Sequence, residues 1–121
     1  MDNTTTVQDL KTVVEAFVEE RDWAQFHSPK NLSMALAIEA SELMDLFKWK
    51  TVEEAQEEMK DKLLEDAADE LADIMIYSIA FANRNGIDIA KAVTSKTEKI
   101  KRNTQQTSSK ADFSNDSTEH Y

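Results

Sequence analysis

One glycine, Gly86, and one proline, Pro29, are all that this 121-residue chain contains of the two residues that turn a backbone most sharply. Hairpins and tight β-turns depend on both, glycine for positive φ and proline for a preset one. Their scarcity argues strongly against a sheet-rich fold and leaves an all-α reading: a compact helical bundle. The length suits one domain and is too short for two, and the 40% of hydrophobic residues can supply a core.

Composition excludes several functions. There is no cysteine, so neither a disulfide framework nor a thiolate metal site can form, and a cytoplasmic location is expected. The N-terminus, "MDNTTTVQDL", has no basic region followed by an apolar stretch, and no apolar run is long enough to cross a bilayer. The formal charge of −10 repels polymeric nucleic acid and anionic lipid. A phosphorylated ligand would therefore need a metal ion or a local basic patch.

Val7, Leu10, Val13, Val14, Phe17 and Val18 recur at helical spacing, and Thr4 to Thr6 offer N-caps for a first helix ending near Arg21. Ser28 and Pro29 are placed as N-cap and first residue of a second helix reaching about Trp49. Thr51 followed by Glu54 is a capping box, and the segment 52–84 holds either one helix or two. Gly86 suits a left-handed C-cap, and Asp88 can cap a last helix through Lys101. The domain is thus expected over 1–102, with 103–121 a polar, disordered tail.

The acidic residues break the pattern. With Leu32 at zero and 100° per residue, Leu36, Leu43, Leu46 and Phe47 fall within about 60° and define an apolar stripe. Glu39 lies inside it. Glu42 projects about 60° to one side and about 4.5 Å further along the axis, so both carboxylates can reach one point. In "KLLEDAADELADIMIYSIAF" the same arrangement recurs: Leu63, Ile74, Tyr77 and Phe81 lie within about 40° of Glu70, with Asp66 and Asp73 at the edge. A buried carboxylate must protonate, find a cation or bind metal. Neither helix carries a base on that face, and an all-oxygen donor set selects a hard ion, Mg²⁺ or Mn²⁺ as substitute. A di-iron bundle would need Glu-x-x-His elements, and His27 and His120 lie outside that spacing. The plain alternative is that acidic pairs three apart simply face water.

Glu39-x-x-Glu42, 27 intervening residues, then Glu70-x-x-Asp73 within "DELADIMIY" resembles the signature of the MazG-like all-α nucleotide pyrophosphohydrolases. "RDWAQFHSPKNL", "FKWK" and "NRNGIDIAKAVTSK" are similar, in order, to flanking segments of the dCTP-pyrophosphatase branch, so the likeness covers roughly residues 7–99. The resemblance implies a Mg²⁺-dependent enzyme that hydrolyses (deoxy)nucleoside triphosphates to monophosphate and pyrophosphate and removes unwanted nucleotides from the pool. It implies that Glu39, Glu42, Glu70 and Asp73 hold the metal, and that the protein is a homodimer or a tetramer built as a dimer of dimers.

The same resemblance makes Trp23 and Trp49 pocket residues and Lys96 and Arg84 basic positions on the phosphate side. His27 and Tyr77, near the pocket aromatics and one turn beyond Asp73, complete the expected substrate set. Aromatic stacking tolerates any base, so hydrogen bonds must select the nucleotide. The competing assignment for the loop aromatics, Phe26 included, is that they seal bundle ends, and for His27 that it caps backbone. Lys101 and Arg102 are expected to complement the dipole at the last helix's C-terminus and face water. The chain departs from the family where relatives carry asparagine: it has Ile100, and Asn103 is the nearest substitute. Two other functions fit the residues, a helical module docking a basic partner, and the same metal site acting on dUTP, modified nucleotides or another phosphoanhydride.

Overall fold

The computed structural model describes residues 1–110, and they contain helices and no strand. The helices are α1 (Val7–Glu20), α2 (Pro29–Asp45), α3 (Val52–Glu58), α4 (Asp61–Arg84) and α5 (Ile89–Lys110), with a 3₁₀ turn at Ala24–Phe26. The all-α expectation holds. Two compact units are present, residues 1–87 and a second beginning at Asp88. No helix among the described residues is long and apolar enough to cross a membrane.

Local chemistry sets most of the boundaries. Thr6 caps α1, accepting from the Asp9 N–H at 3.0 Å while Asp9 Oδ2 accepts from the Thr6 N–H at 2.9 Å. Ser28 Oγ accepts from the Asn31 N–H at 3.1 Å, and Pro29 opens α2, where its missing N–H costs nothing. Thr51 Oγ1 accepts from the Glu54 N–H at 3.1 Å and starts α3. At the end of α4, Gly86 takes a φ of 63° and lets the Ile87 N–H return to Ala82 O at 2.9 Å, the reversal that closes a helix on a left-handed residue.

Three boundaries differ from the sequence reading. α2 ends at Asp45 rather than near Trp49, because Leu46 and Phe47 donate to carbonyls three residues back, Leu43 at 3.2 Å and Met44 at 3.0 Å, and tighten the chain out of the α ladder. Segment 52–84 is two helices, broken at Met59–Lys60, with Asp61 at a φ of 50°. The last helix passes Lys101 and continues to Lys110. Its polarity argues against burial, not against helicity: no glycine or proline interrupts 89–110, and Thr104 and Thr107 donate to Ile100 O and Asn103 O four residues back. Lys101 and Arg102 consequently lie inside the helix and not at its C-terminus. The remaining tail, 111–121, lies outside the described residues.

In the first unit α2 and α4 form the principal pair and α1 lies against α4. The buried residues are Val14 and Val18 of α1, Leu32 of α2, and Ala67, Ile79, Ala80 and Ala82 of α4. Alanines on α4 let the neighbouring helices approach closely, and Leu32, 1% exposed, is the centre of the packing. Long-range polar contacts tie α1 to the end of α4. Lys11 Nζ donates to Ile87 O at 2.8 Å, and Asn83 Nδ2 donates to Lys11 O at 3.0 Å. Met34, Ile38 and Met44 of α2 and Leu64, Leu71 and Met75 of α4 remain exposed.

Candidate metal centre

The α2–α4 pairing brings together the four acids that the helical spacing singled out. One carboxylate oxygen from each of Glu39, Glu42, Glu70 and Asp73 lies within 4.8 Å of the others. Each helix supplies two residues three apart, so both pairs project from one side of their helix toward the partner. Among the described residues this is the one group of acidic or histidine side chains so placed.

The electrostatics are those of a site short of positive charge. Glu39 and Glu70 are half-buried, Glu42 is exposed, and the Oε2 atoms of Glu39 and Glu70 are buried without a hydrogen-bond partner. Burial lifts the Glu39 carboxyl above the usual 4.5, and the adjoining Glu42 carboxyl adds to the rise, followed by the charges of Asp73 and Glu70. Glu70 is lifted in the same way, first by burial, then by Glu42, then by Asp73 and Asp69. Asp66, at the edge of the same stripe, is taken up by Lys62 at 2.9 Å and is outside the cluster.

A divalent cation fits this donor set. Two buried oxygens lack partners, a ligand cation would satisfy both, and all four side chains offer hard oxygen donors with no nitrogen or sulfur among them.

The expected substrate residues are dispersed along the chain, all but Lys96 in the first unit. Trp23 packs edge-on against Phe17, with ring centroids 5.4 Å apart at 81°, and Arg21 lies 3.8 Å from the Phe17 ring centroid. His27 and Arg84 line a common cleft of about 110 Å³ with Glu15, Val18, Ala24, Ala80 and Asn83. Arg84 stands eleven residues beyond Asp73 on α4, about 16 Å of helix, so the cleft and the carboxylates occupy different stretches of that helix. Tyr77 is half-buried one turn beyond Asp73. Trp49, in the turn after α2, is 88% exposed. Lys96, in α5 of the second unit, is exposed, and Asn103 sits in mid-helix there. The sequence reading missed the ion pair between Lys50 Nζ and Glu58 Oε2, at 2.6 Å, which spans α3. No helical spacing rule pairs residues on either side of a helix start, so the sequence carried no signal for it.

The MazG-like family model matches residues 34–118, which include all four clustered acids. The chain belongs to the MazG-like family. It is 39% identical over 94 residues to dCTP pyrophosphatase 1 of Rattus norvegicus and to that of Homo sapiens, over 77% of this chain and 55% of each relative. The chain thus spans a little over half the length of the curated relatives it matches. A solved structure of a pyrophosphatase from Archaeoglobus fulgidus DSM 4304 superposes with a TM-score of 0.74 at 30% identity, covering 79% of this chain and 89% of that one. MazG-like membership agrees with the resemblance carried by the paired acidic motif and its flanking segments.

Proposed function

We propose that this MazG-like chain is a divalent-metal-dependent nucleoside triphosphate pyrophosphohydrolase, cleaving dCTP or a related or modified deoxynucleotide between the α and β phosphates to monophosphate and pyrophosphate. The observation that carries the reading is the convergence of Glu39, Glu42, Glu70 and Asp73, two of them with a buried, partnerless oxygen. The name of the mammalian relatives, dCTP pyrophosphatase 1, supports the substrate class, and the likeness to an archaeal pyrophosphatase supports the bond cleaved.

Glu39, Glu42, Glu70 and Asp73 would hold Mg²⁺, with Mn²⁺ as a substitute. When bound, the ion supplies charge neutralisation for the triphosphate and lowers the pKa of water. The carboxylates hold negative charge at one point, which makes cation binding the condition for approach of a polyanion to a chain of net charge −10. One of the four carboxylates would also accept the proton of the attacking water. Trp49, Trp23 and Tyr77 offer ring faces for the base, and His27, Arg84 and Lys96 offer donors to phosphate or base. Assembly into a homodimer or a dimer of dimers is supported by the exposed Met34, Ile38, Leu64, Leu71 and Met75 of α2 and α4, apolar side chains that a second copy would cover.

The test is incubation of purified protein with each dNTP and Mg²⁺ and chromatography of the products. Monophosphate with pyrophosphate, and preference for a cytosine nucleotide, is expected. Orthophosphate alone, or no turnover of any triphosphate, rejects the reading.

A further inference from the structure

Trp49 presents a problem of orientation. It follows α2 at the end that carries Glu42, its side chain is 88% exposed, and Lys48 Nζ approaches its ring only to 5.8 Å. An indole in that position keeps its own rotamer freedom, and what its neighbours can fix is the backbone from which it swings. On the N-terminal side it is held by the turn in which the Lys50 N–H donates to Phe47 O at 3.0 Å. On the C-terminal side, the residue directly after Trp49 sends its ammonium to Glu58 Oε2 at 2.6 Å, across the whole of α3. Lys50 is partly shielded, its side chain 29% exposed, whereas Glu58 is 49% exposed. Thr51 caps α3 through the Glu54 N–H at 3.1 Å, so residues 50–58 form a closed loop, tied at both ends, with Trp49 at its base.

We infer that the Lys50–Glu58 ion pair is a positioning device for Trp49: it fixes the backbone behind the indole and so keeps the ring within reach of a nucleobase. This rests on the nucleotide-hydrolase reading above. Exposed ion pairs add little to global stability. The pair's effect here lies in binding, because a chain segment already held in place loses less freedom when a base stacks on its ring.

The test is Lys50→Met in the full chain, assayed with Mg²⁺ and the dNTP that the wild type turns over. KM rises about three- to tenfold with kcat within about twofold, and the charge-swapped double variant K50E/E58K restores KM. A second readout needs no turnover: in a Trp23→Phe background, time-resolved fluorescence anisotropy reports Trp49 alone, and Lys50→Met lowers its residual value while the swap recovers it. An unchanged KM in an active enzyme, or an unchanged anisotropy, overturns the inference. So does a parallel fall of kcat and of the helical circular-dichroism signal, which marks a merely structural role. If the wild type turns over no triphosphate, it is the hydrolase reading that falls, and the anisotropy alone decides the role of the pair.

Discussion

Glu39 of α2 and Glu70 of α4 face each other across the helix pair, each with a ligand oxygen within 4.8 Å of the other's and each with a buried Oε2 that nothing satisfies. Two carboxylates so placed repel one another, and each has one oxygen shut off from solvent. Glu39→Gln or Glu70→Gln removes one of the charges. The metal-free variant is expected to melt at the same temperature as the wild type or higher, while the rise in Tm caused by millimolar Mg²⁺ disappears and turnover falls by about 100-fold or more. Thermal melts with and without Mg²⁺ check the first two effects, and a dNTP assay checks the third. A variant that keeps both the Mg²⁺-dependent shift and near-normal turnover would remove that residue from the metal set.

The same pair sets a pH dependence whose sign is opposite to the usual one for carboxylates. The folded-state pKa values of Glu39 and Glu70 are raised above the usual 4.5, so the native state binds more protons than the unfolded chain in the window between that value and the raised ones. Within that window the metal-free protein loses stability as pH rises, and the loss is complete once the pH exceeds the folded-state values. Its Tm, measured in a chelator, is therefore expected to increase as pH is lowered through the raised values toward 4.5. Mg²⁺ competes with the protons for the same oxygens, so saturating metal should flatten the dependence and stabilise more at pH 8 than at pH 5. A Tm that falls steadily from pH 7.5 to 5 in the absence of metal would contradict this.

What could be seen in the sequence was local or periodic. Ser28 before Pro29, Thr51 before Glu54, Gly86 and Asp88 act on backbone groups two to six residues away, so residue type and order suffice to place them. The four acids were legible because two glutamates at helical spacing within an apolar stripe must answer for their charge wherever the helix packs. The break between α3 and α4 was not, since Lys60 and Asp61 carry no glycine or proline signal, although Asp61 takes a φ of 50°. Nor was the Lys50–Glu58 pair, which exists only once α3 has formed. The polar stretch after Lys101 was read as tail because it offers nothing to bury, yet helix formation needs only backbone hydrogen bonds, and these continue to Lys110.

Positive φ values at two loop positions allow a paired stability test. Gly86 has a φ of 63° and open space where a Cβ would go, so Gly86→Ala meets no steric neighbour and its whole cost is the left-handed backbone. A loss of about 1–2 kcal/mol is expected, a drop of several degrees in Tm. Asp22, at φ 54°, carries the reverse penalty. Gln25 Nε2 donates to the Asp22 backbone carbonyl at 3.1 Å, a bond that survives substitution, and to Asp22 Oδ2 at 3.4 Å, a long exposed bond that does not, so Asp22→Gly should stabilise by about 0.5 kcal/mol. Denaturant melts of the two variants measure both, and equal effects of the same sign would show that backbone conformation is not the controlling factor.

Trp23 and Trp49 separate stability from binding. Trp23 is 41% exposed and packs edge-on against Phe17, so Trp23→Ala should lower stability by about 1 kcal/mol as well as weaken any contact with a base. Trp49, 88% exposed, contributes almost nothing to the core, and Trp49→Ala should leave Tm within about a degree of the wild type. If the indole stacks on the nucleobase, its removal costs about 1–3 kcal/mol of binding, which raises KM about 5- to 150-fold. Stacking acts on the base and not on the reacting phosphates, so kcat should change far less than KM. Steady-state kinetics on Trp49→Ala therefore test whether this exposed ring is there for a ligand: a KM equal to the wild type's, with Tm also unchanged, would leave the indole without a role in the site and shift base recognition to Trp23 and Tyr77.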